Sequence, residues 1–158
     1  MVPIPAFDPG TGYLPPGLHK STVAEIRQHL GFTLKRRQLI ASLEQAARWL
    51  FGAGVTDLRI DGSFVTEKPE PGDIDGFWVL DERVRVEAIP PLLLDFSTVP
   101  DPTSGKPKFP MWFQMGIELY VHPHMGGFEA GDLPEFFSHS RDGTPRGYVQ
   151  VIPESISG

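Results

Sequence analysis

Only one stretch of this chain can carry a long helix. Glycine and proline together occupy 34 of its 158 positions. Each interrupts regular structure, glycine through its backbone freedom and proline through a fixed φ and a missing N–H. The longest interval without either runs from Phe32 to Phe51. Within it Leu39, Leu43, Ala46, Ala47 and Leu50 recur at helical spacing, which predicts an amphipathic helix with one buried face. The rest must be short helices, short strands and stiff loops. A hydrophobic content of 40% still supplies a core for one domain of this length.

The shorter elements have their own signals. Thr22 and Glu25 stand three apart as a capping box, Val23, Ile26 and Leu30 line one side, and Gly31 ends that helix. The first 20 residues hold five prolines and read as an extended arm, packed on the body through Ile4, Phe7, Tyr13 and Leu14. Residues 21–158 then form the single domain. Leu58 and Ile60 alternate with Asp57, Arg59 and Asp61, the period of a half-buried strand. A second strand is predicted from Asp73 to Leu80, and two more at Gly116–His122 and Gly147–Ile152. Between Asp81 and Phe96 the pattern is ambiguous, because Pro90-Pro91 interrupts any helix. Lys35, Arg36 and Arg37 crowd the first turn of the long helix, where the dipole disfavours positive charge; a solvated basic end or a phosphate contact would account for them.

Charge and composition exclude several classes. At a net charge of −6, the chain is poorly equipped to neutralise many phosphates, so bulk duplex nucleic-acid binding is not expected. No window approaches the roughly 18 apolar residues that span a bilayer. Met1-Val2-Pro3-Ile4-Pro5 lacks the basic region and apolar run of a signal peptide. A cytoplasmic location without a membrane partner is therefore expected. The absence of cysteine removes disulfides, thiolate catalysis and Cys-ligated metal centres together.

The chemistry concentrates between Ile60 and Asp75. Gly62-Ser63 closes the first strand, nine residues follow, and Asp73-Ile74-Asp75 opens the second. Side chains alternate along a strand, so Asp73 and Asp75 project to one side and Ile74 to the other. Two adjacent carboxylates repel unless a cation or a proton lies between them. Hard oxygen ligands favour Mg²⁺, which takes one or two carboxylates and completes its shell with water and substrate phosphate oxygens. A glycine at a strand end permits close approach, and the turn after it offers N–H groups and a hydroxyl to phosphate. Phosphoryl or nucleotidyl transfer generally adds a further acid, so that two metal ions clamp the attacking and leaving oxygens. Glu118 is the first candidate, since Ile117, Leu119 and Val121 share the opposite face; Asp95 is the second. The plain structural reading is that Asp73 and Asp75 cap a solvent-facing turn shaped by Pro69, Pro71 and Gly72.

A strand ending in Gly-Ser, a loop, Asp-x-Asp and an acid on a later strand resembles the signature of the DNA polymerase β-like nucleotidyltransferase superfamily. Over residues 39 to 122 the chain is similar to its minimal, antitoxin-like bacterial members. It is also similar to short bacterial proteins that carry the Leu14-Pro15-Pro16-Gly17-Leu18-His19 arm. The resemblance implies an α+β fold, a nucleotidyltransferase-like mixed sheet of four to five strands with helices packed mainly on one face. It further implies Mg²⁺-dependent transfer of an NMP from an NTP, the donor substrate, to an acceptor hydroxyl on protein, RNA or a small molecule. Asp73, Asp75 and Glu118 would be the catalytic, metal-binding acids for one or two ions, and Glu118 would help to deprotonate the acceptor. Gly62 and Ser63 would bind the triphosphate. Departures from the family pattern are Asp61 before Gly62, Val65-Thr66-Glu67-Lys68 in place of an Ala-Arg-Gly run, and Gly76. Lys68 is the candidate for the missing arginine's phosphate contact, and Gly76 is expected to thin the packing behind the acids. No helical acceptor-binding domain is expected after the core.

Two other functions fit the same residues. One is a non-catalytic, antitoxin-like module that masks a toxin-like protein partner through the aromatic cluster Phe109, Met111, Trp112, Phe113 and Met115, which otherwise reads as core. The other is a metal-dependent phosphohydrolase. His122-Pro123-His124 lacks a third ligand nearby and reads as loop histidines. Ser138-His139 lacks any Gly-x-Ser-x-Gly elbow. Phe77 shares the carboxylate face, as core filler or as a stacking partner for a base.

Overall fold

A computed structural model describes residues 4–122 and 147–153. In chain order the elements are β1 (Gly17–Ser21), α1 (Val23–Leu30), α2 (Leu34–Gly52), β2 (Leu58–Asp61), β3 (Ile74–Val79), β4 (Val99–Pro100), β5 (Pro107–Lys108), α3 (Pro110–Met115), β6 (Ile117–His122) and β7 (Gly147–Val151). Five strands form one mixed sheet in the order β1-β7-β2-β3-β6, and β4 and β5 form a separate ribbon. The fold class is α+β. Between β3 and β4 the ambiguous segment holds two short 3-10 turns, Val86–Ala88 and Pro91–Leu94. Among the described residues no helix is long and apolar enough to cross a membrane.

Both α1 and α2 begin where a side chain satisfies the first backbone donors. Thr22 Oγ1 accepts from the Glu25 N–H at 3.2 Å, and Glu25 Oε1 accepts from the Thr22 N–H at 3.0 Å. Thr33 does the same for α2, accepting from Arg36 N–H at 3.2 Å. Such caps contribute about 1 kcal/mol each. The α2 face buries Leu39, Leu43, Ala46, Ala47 and Leu50 as its periodicity requires, with Ile40 added. These side chains share one core with Leu58, Ile60, Ile74, Leu119 and Val149 of the sheet. Pairing β2 with β3 and β3 with β6 puts Arg59, Asp61, Asp75, Phe77, Glu118 and Tyr120 on the opposite face.

Three expectations need correction. The arm is not wholly a strap, because Gly17–Ser21 pairs in parallel with β7 as the edge strand of the main sheet. A Cβ at Gly147 would lie 2.1 Å from the Pro15 carbonyl, so the Pro15-Pro16-Gly17 bend presses directly on β7. Arg36 is neither solvated nor placed for phosphate. It is 0% exposed and donates to the carbonyls of Leu30, Phe64, Thr66 and Lys68. Gly76 does not thin the packing. A Cβ there would lie 2.1 Å from the Arg59 carbonyl, so glycine lets β2 and β3 approach.

Candidate functional site

β2 and β3 are antiparallel and set Asp61 opposite Asp75, while β3 and β6 are parallel and set Asp75 beside Glu118. Residues paired in register share a face, so three acids on three neighbouring strands stand side by side on the face opposite the core side chains Ile60, Ile74 and Leu119. Asp73, just before β3, joins them. The turn after β2 is a single 3-10 turn, Gly62–Val65. Gly62 has φ +79°, and a Cβ on it would lie 2.6 Å from Asp75 Oδ2. The Gly-Ser turn therefore presses its backbone against the carboxylate of Asp75. The side chain of Ser63 lies outside the described residues.

Crowding of acids controls their protonation. The Asp75 carboxyl is pushed up to about 8, first by burial and then by the charges of Asp73 and Glu118. Burial also raises Glu118, with the Lys108 charge opposing it. Tyr120, on the same face, is held above its usual range by burial and then by Glu118 and Asp75. The cation at the acids is Lys108, whose Nζ lies 3.8 Å from Asp73 Oδ2 and 3.9 Å from Glu118 Oε1. Trp112 Nε1–H donates to Asp73 Oδ2 at 3.1 Å. Arg59 shares the face but turns its guanidinium to Asp57, with two contacts of 2.9 Å.

The donor set fits a hard divalent cation. It consists of acid oxygens, and among the described residues the buried Glu118 Oε1 accepts no hydrogen bond. Among the described residues no three His, Asp or Glu side chains group closely enough to hold a metal ion alone. One or two carboxylates completed by substrate oxygens meet the ordinary requirement of Mg²⁺.

The other predicted residues are placed as follows. Lys68 is exposed; its carbonyl is held by Arg36, and among the described residues its ammonium makes no ion pair. Asp95 is exposed and accepts from Ser97 at 2.6 Å. Phe77 is buried beneath Arg59, 5.6 Å away, which leaves no open ring face for a base there. His122 ends β6 with its ring edge-on to Phe77; His124 and His139 lie outside the described residues. The aromatic cluster divides. Phe109 and Met111 are core, whereas Phe113 is 43% exposed. Trp112 and Phe113 line a cleft of ≈ 320 Å³ with Gly72, opposite Lys35, Gln38 and Ser42 of α2.

Lys108 was not legible as a site residue, and Trp112 reads in the sequence only as part of a core or partner-facing aromatic cluster. The available signal was Asp101-Pro102-Thr103-Ser104-Gly105, a turn sequence that closes a ribbon. Asp101 accepts from the N–H groups of Thr103 and Ser104, and β4–β5 pairing then carries Lys108 to the acids.

The fold and site define a class: a small α+β protein with a five-stranded mixed sheet that carries Asp61, Asp75 and Glu118 in register on one face. The chain belongs to a family of unknown function, DUF6932, whose pattern it matches over residues 5–152. No curated protein and no solved structure matches it.

Proposed function

We propose that this protein is a Mg²⁺-dependent nucleotidyltransferase of the polymerase β-like type, acting in the cytoplasm on an acceptor hydroxyl still to be identified. The observation that carries the reading is the Asp75 carboxylate, set beside Glu118 in parallel register and against the glycine backbone of the Gly-Ser turn. In the reaction the acceptor oxygen bonds to the α-phosphorus of an NTP, the bond to the bridging oxygen breaks, and pyrophosphate leaves. Asp73 and Asp75 would hold Mg²⁺, with Glu118 as the further acid; the ion supplies positive charge against the triphosphate. Glu118, its pKa raised by burial, is suited to take the acceptor's proton. Gly62 and Ser63 contribute backbone N–H groups to the triphosphate. The cleft beside Trp112 adjoins Asp73 and offers room for part of a substrate.

Calorimetric titration of ATP, CTP, GTP and UTP with Mg²⁺ tests the reading without knowledge of the acceptor. Metal-dependent binding that disappears in Asp73→Asn/Asp75→Asn supports it, and no binding by the folded protein overturns it. A second reading, the antitoxin-like module, draws on one observation: the ammonium of Lys108 already neutralises part of the acidic face. That module would keep its toxin-like partner in the double variant.

A further inference from the structure

The nucleotidyltransferase reading gives Lys108 no role, yet its position is specific. Its side chain is 20% exposed, and its Nζ lies between Asp73 Oδ2 and Glu118 Oε1 at 3.8 and 3.9 Å. Asp73 immediately precedes β3, Glu118 lies in β6, and Lys108 comes from the ribbon that leads into α3. We propose that Lys108 is a resident counter-ion of the carboxylate face, which a divalent cation must displace, so that metal and triphosphate bind cooperatively. The inference rests on the function proposed above.

The backbone around Lys108 is anchored. Lys108 pairs with Val99, and the neighbouring Phe109 ring packs edge-on against Phe96 and Tyr120, each at 5.4 Å. Only the flexible four-carbon stem is left to move. In the same position Nζ lies 5.2 Å from the centre of the Trp112 ring, within the range of a cation–π contact, so the indole face already borders the ammonium. Among the described residues Glu118 Oε1 is buried without a hydrogen bond, and the Lys108 charge is the first influence that offsets the burial of this carboxyl.

Coulomb's law sets the consequence. A divalent ion entering alone meets the acids but also a like charge a few ångströms away. A triphosphate arriving with it offers that ammonium a new anionic partner and removes the repulsion. Each ligand then raises the affinity of the other, and by linkage the effect is reciprocal.

The test uses Mn²⁺ as the metal probe and ATP as the nucleotide, with the full chain as parent, Lys108→Met and Lys108→Arg. Binding of Mn²⁺ alone is followed by calorimetry and by the paramagnetic signal of the free ion, and folding by circular dichroism. Lys108→Met is expected to bind Mn²⁺ alone at least tenfold more tightly than the parent and to lose most of the coupling between Mn²⁺ and ATP. Lys108→Arg, which keeps the charge, is expected to stay within about threefold of the parent. Unchanged or weaker Mn²⁺ binding by folded Lys108→Met would overturn the inference. Failure of every NTP to bind would sink the nucleotidyltransferase reading instead, while the Mn²⁺ arm alone would still decide the role of Lys108.

Discussion

Gly62 and Asp75 are packed so that no side chain fits between them. The glycine has φ +79°, and a Cβ on it would stand 2.6 Å from Asp75 Oδ2. Gly62→Ala therefore incurs two costs, a left-handed backbone in an L-residue and displacement of the carboxylate. The expected loss is about 1–3 kcal/mol of stability, with Mg²⁺–NTP binding weakened at least about tenfold, which is 1.4 kcal/mol. Urea unfolding and calorimetry on the same samples measure both. An alanine variant equal to the parent in both would show that the close approach has no consequence.

Asp75 makes stability depend on pH in a direction opposite to the usual carboxylate. Its folded pKa is raised to about 8, whereas an aspartate in an unfolded chain titrates near ~3.9. Between these values the folded state holds a proton that the unfolded state has lost, so stability from this group is complete at low pH and falls as pH rises through about 8. Asp75→Asn removes that uptake. At pH 9 the variant is expected to be more stable than the metal-free parent by about 1–3 kcal/mol, with the difference vanishing near pH 4. Urea unfolding of both proteins across that range reads the difference directly. A gap that widens toward low pH would contradict the assignment.

Arg36 fixes the loop between the Gly-Ser turn and Asp73. Its guanidinium donates to four carbonyls and stacks on Phe32 at 4.1 Å and Phe64 at 5.0 Å. Burial lowers its pKa to about 10, so it is charged at neutral pH. Arg36→Met leaves buried carbonyls without donors and is expected to destabilise the protein by about 3–5 kcal/mol. Arg36→Lys restores charge but not the planar fork, and is expected to recover less than about half of that loss. Thermal and urea unfolding of the two variants decide it, and full recovery by lysine would show that charge alone matters.

The parts of this protein governed by local periodicity were legible in the sequence. The face of α2, the capping box of α1 and the alternation of Asp75 and Glu118 against Ile74, Ile117 and Leu119 each depend only on neighbours along one element. What escaped depends on partners distant in sequence. The basic start of α2 looks like a solvated end until Arg36 finds the 64–68 loop, which lies 28 to 32 positions away. The Leu14-to-His19 arm gives no strand alternation, and Gly17–Ser21 is a strand only because β7 is there to pair with it. Lys108 follows a proline in a ribbon with two residues per strand, too short to show any period. Lys68, nearer in sequence to the acids, was the more visible cation, whereas the ion pair with Asp73 and Glu118 is made by Lys108.

Trp112 offers a way to separate an enzyme site from a masking surface. Its Nε1–H donates to Asp73 Oδ2 at 3.1 Å, while its ring meets Phe113 edge-on and lies beneath Lys108. Trp112→Phe removes the donor and keeps an aromatic ring, so it acts mainly on Asp73. A hydrogen bond of that kind contributes about 1 kcal/mol, and if Asp73 holds the metal, Mg²⁺–ATP affinity is expected to fall by about fivefold. Trp112→Ala removes the ring as well and is expected to lose a further two- to fivefold, about 0.5–1 kcal/mol. A protein partner seated on the aromatic surface would respond differently, tolerating Trp112→Phe and Asp73→Asn and losing affinity only with Trp112→Ala. Calorimetry of the three variants with Mg²⁺–ATP distinguishes these patterns. Nucleotide affinity unaffected by Trp112→Phe but abolished by Asp73→Asn would show that Asp73 needs no help from the indole.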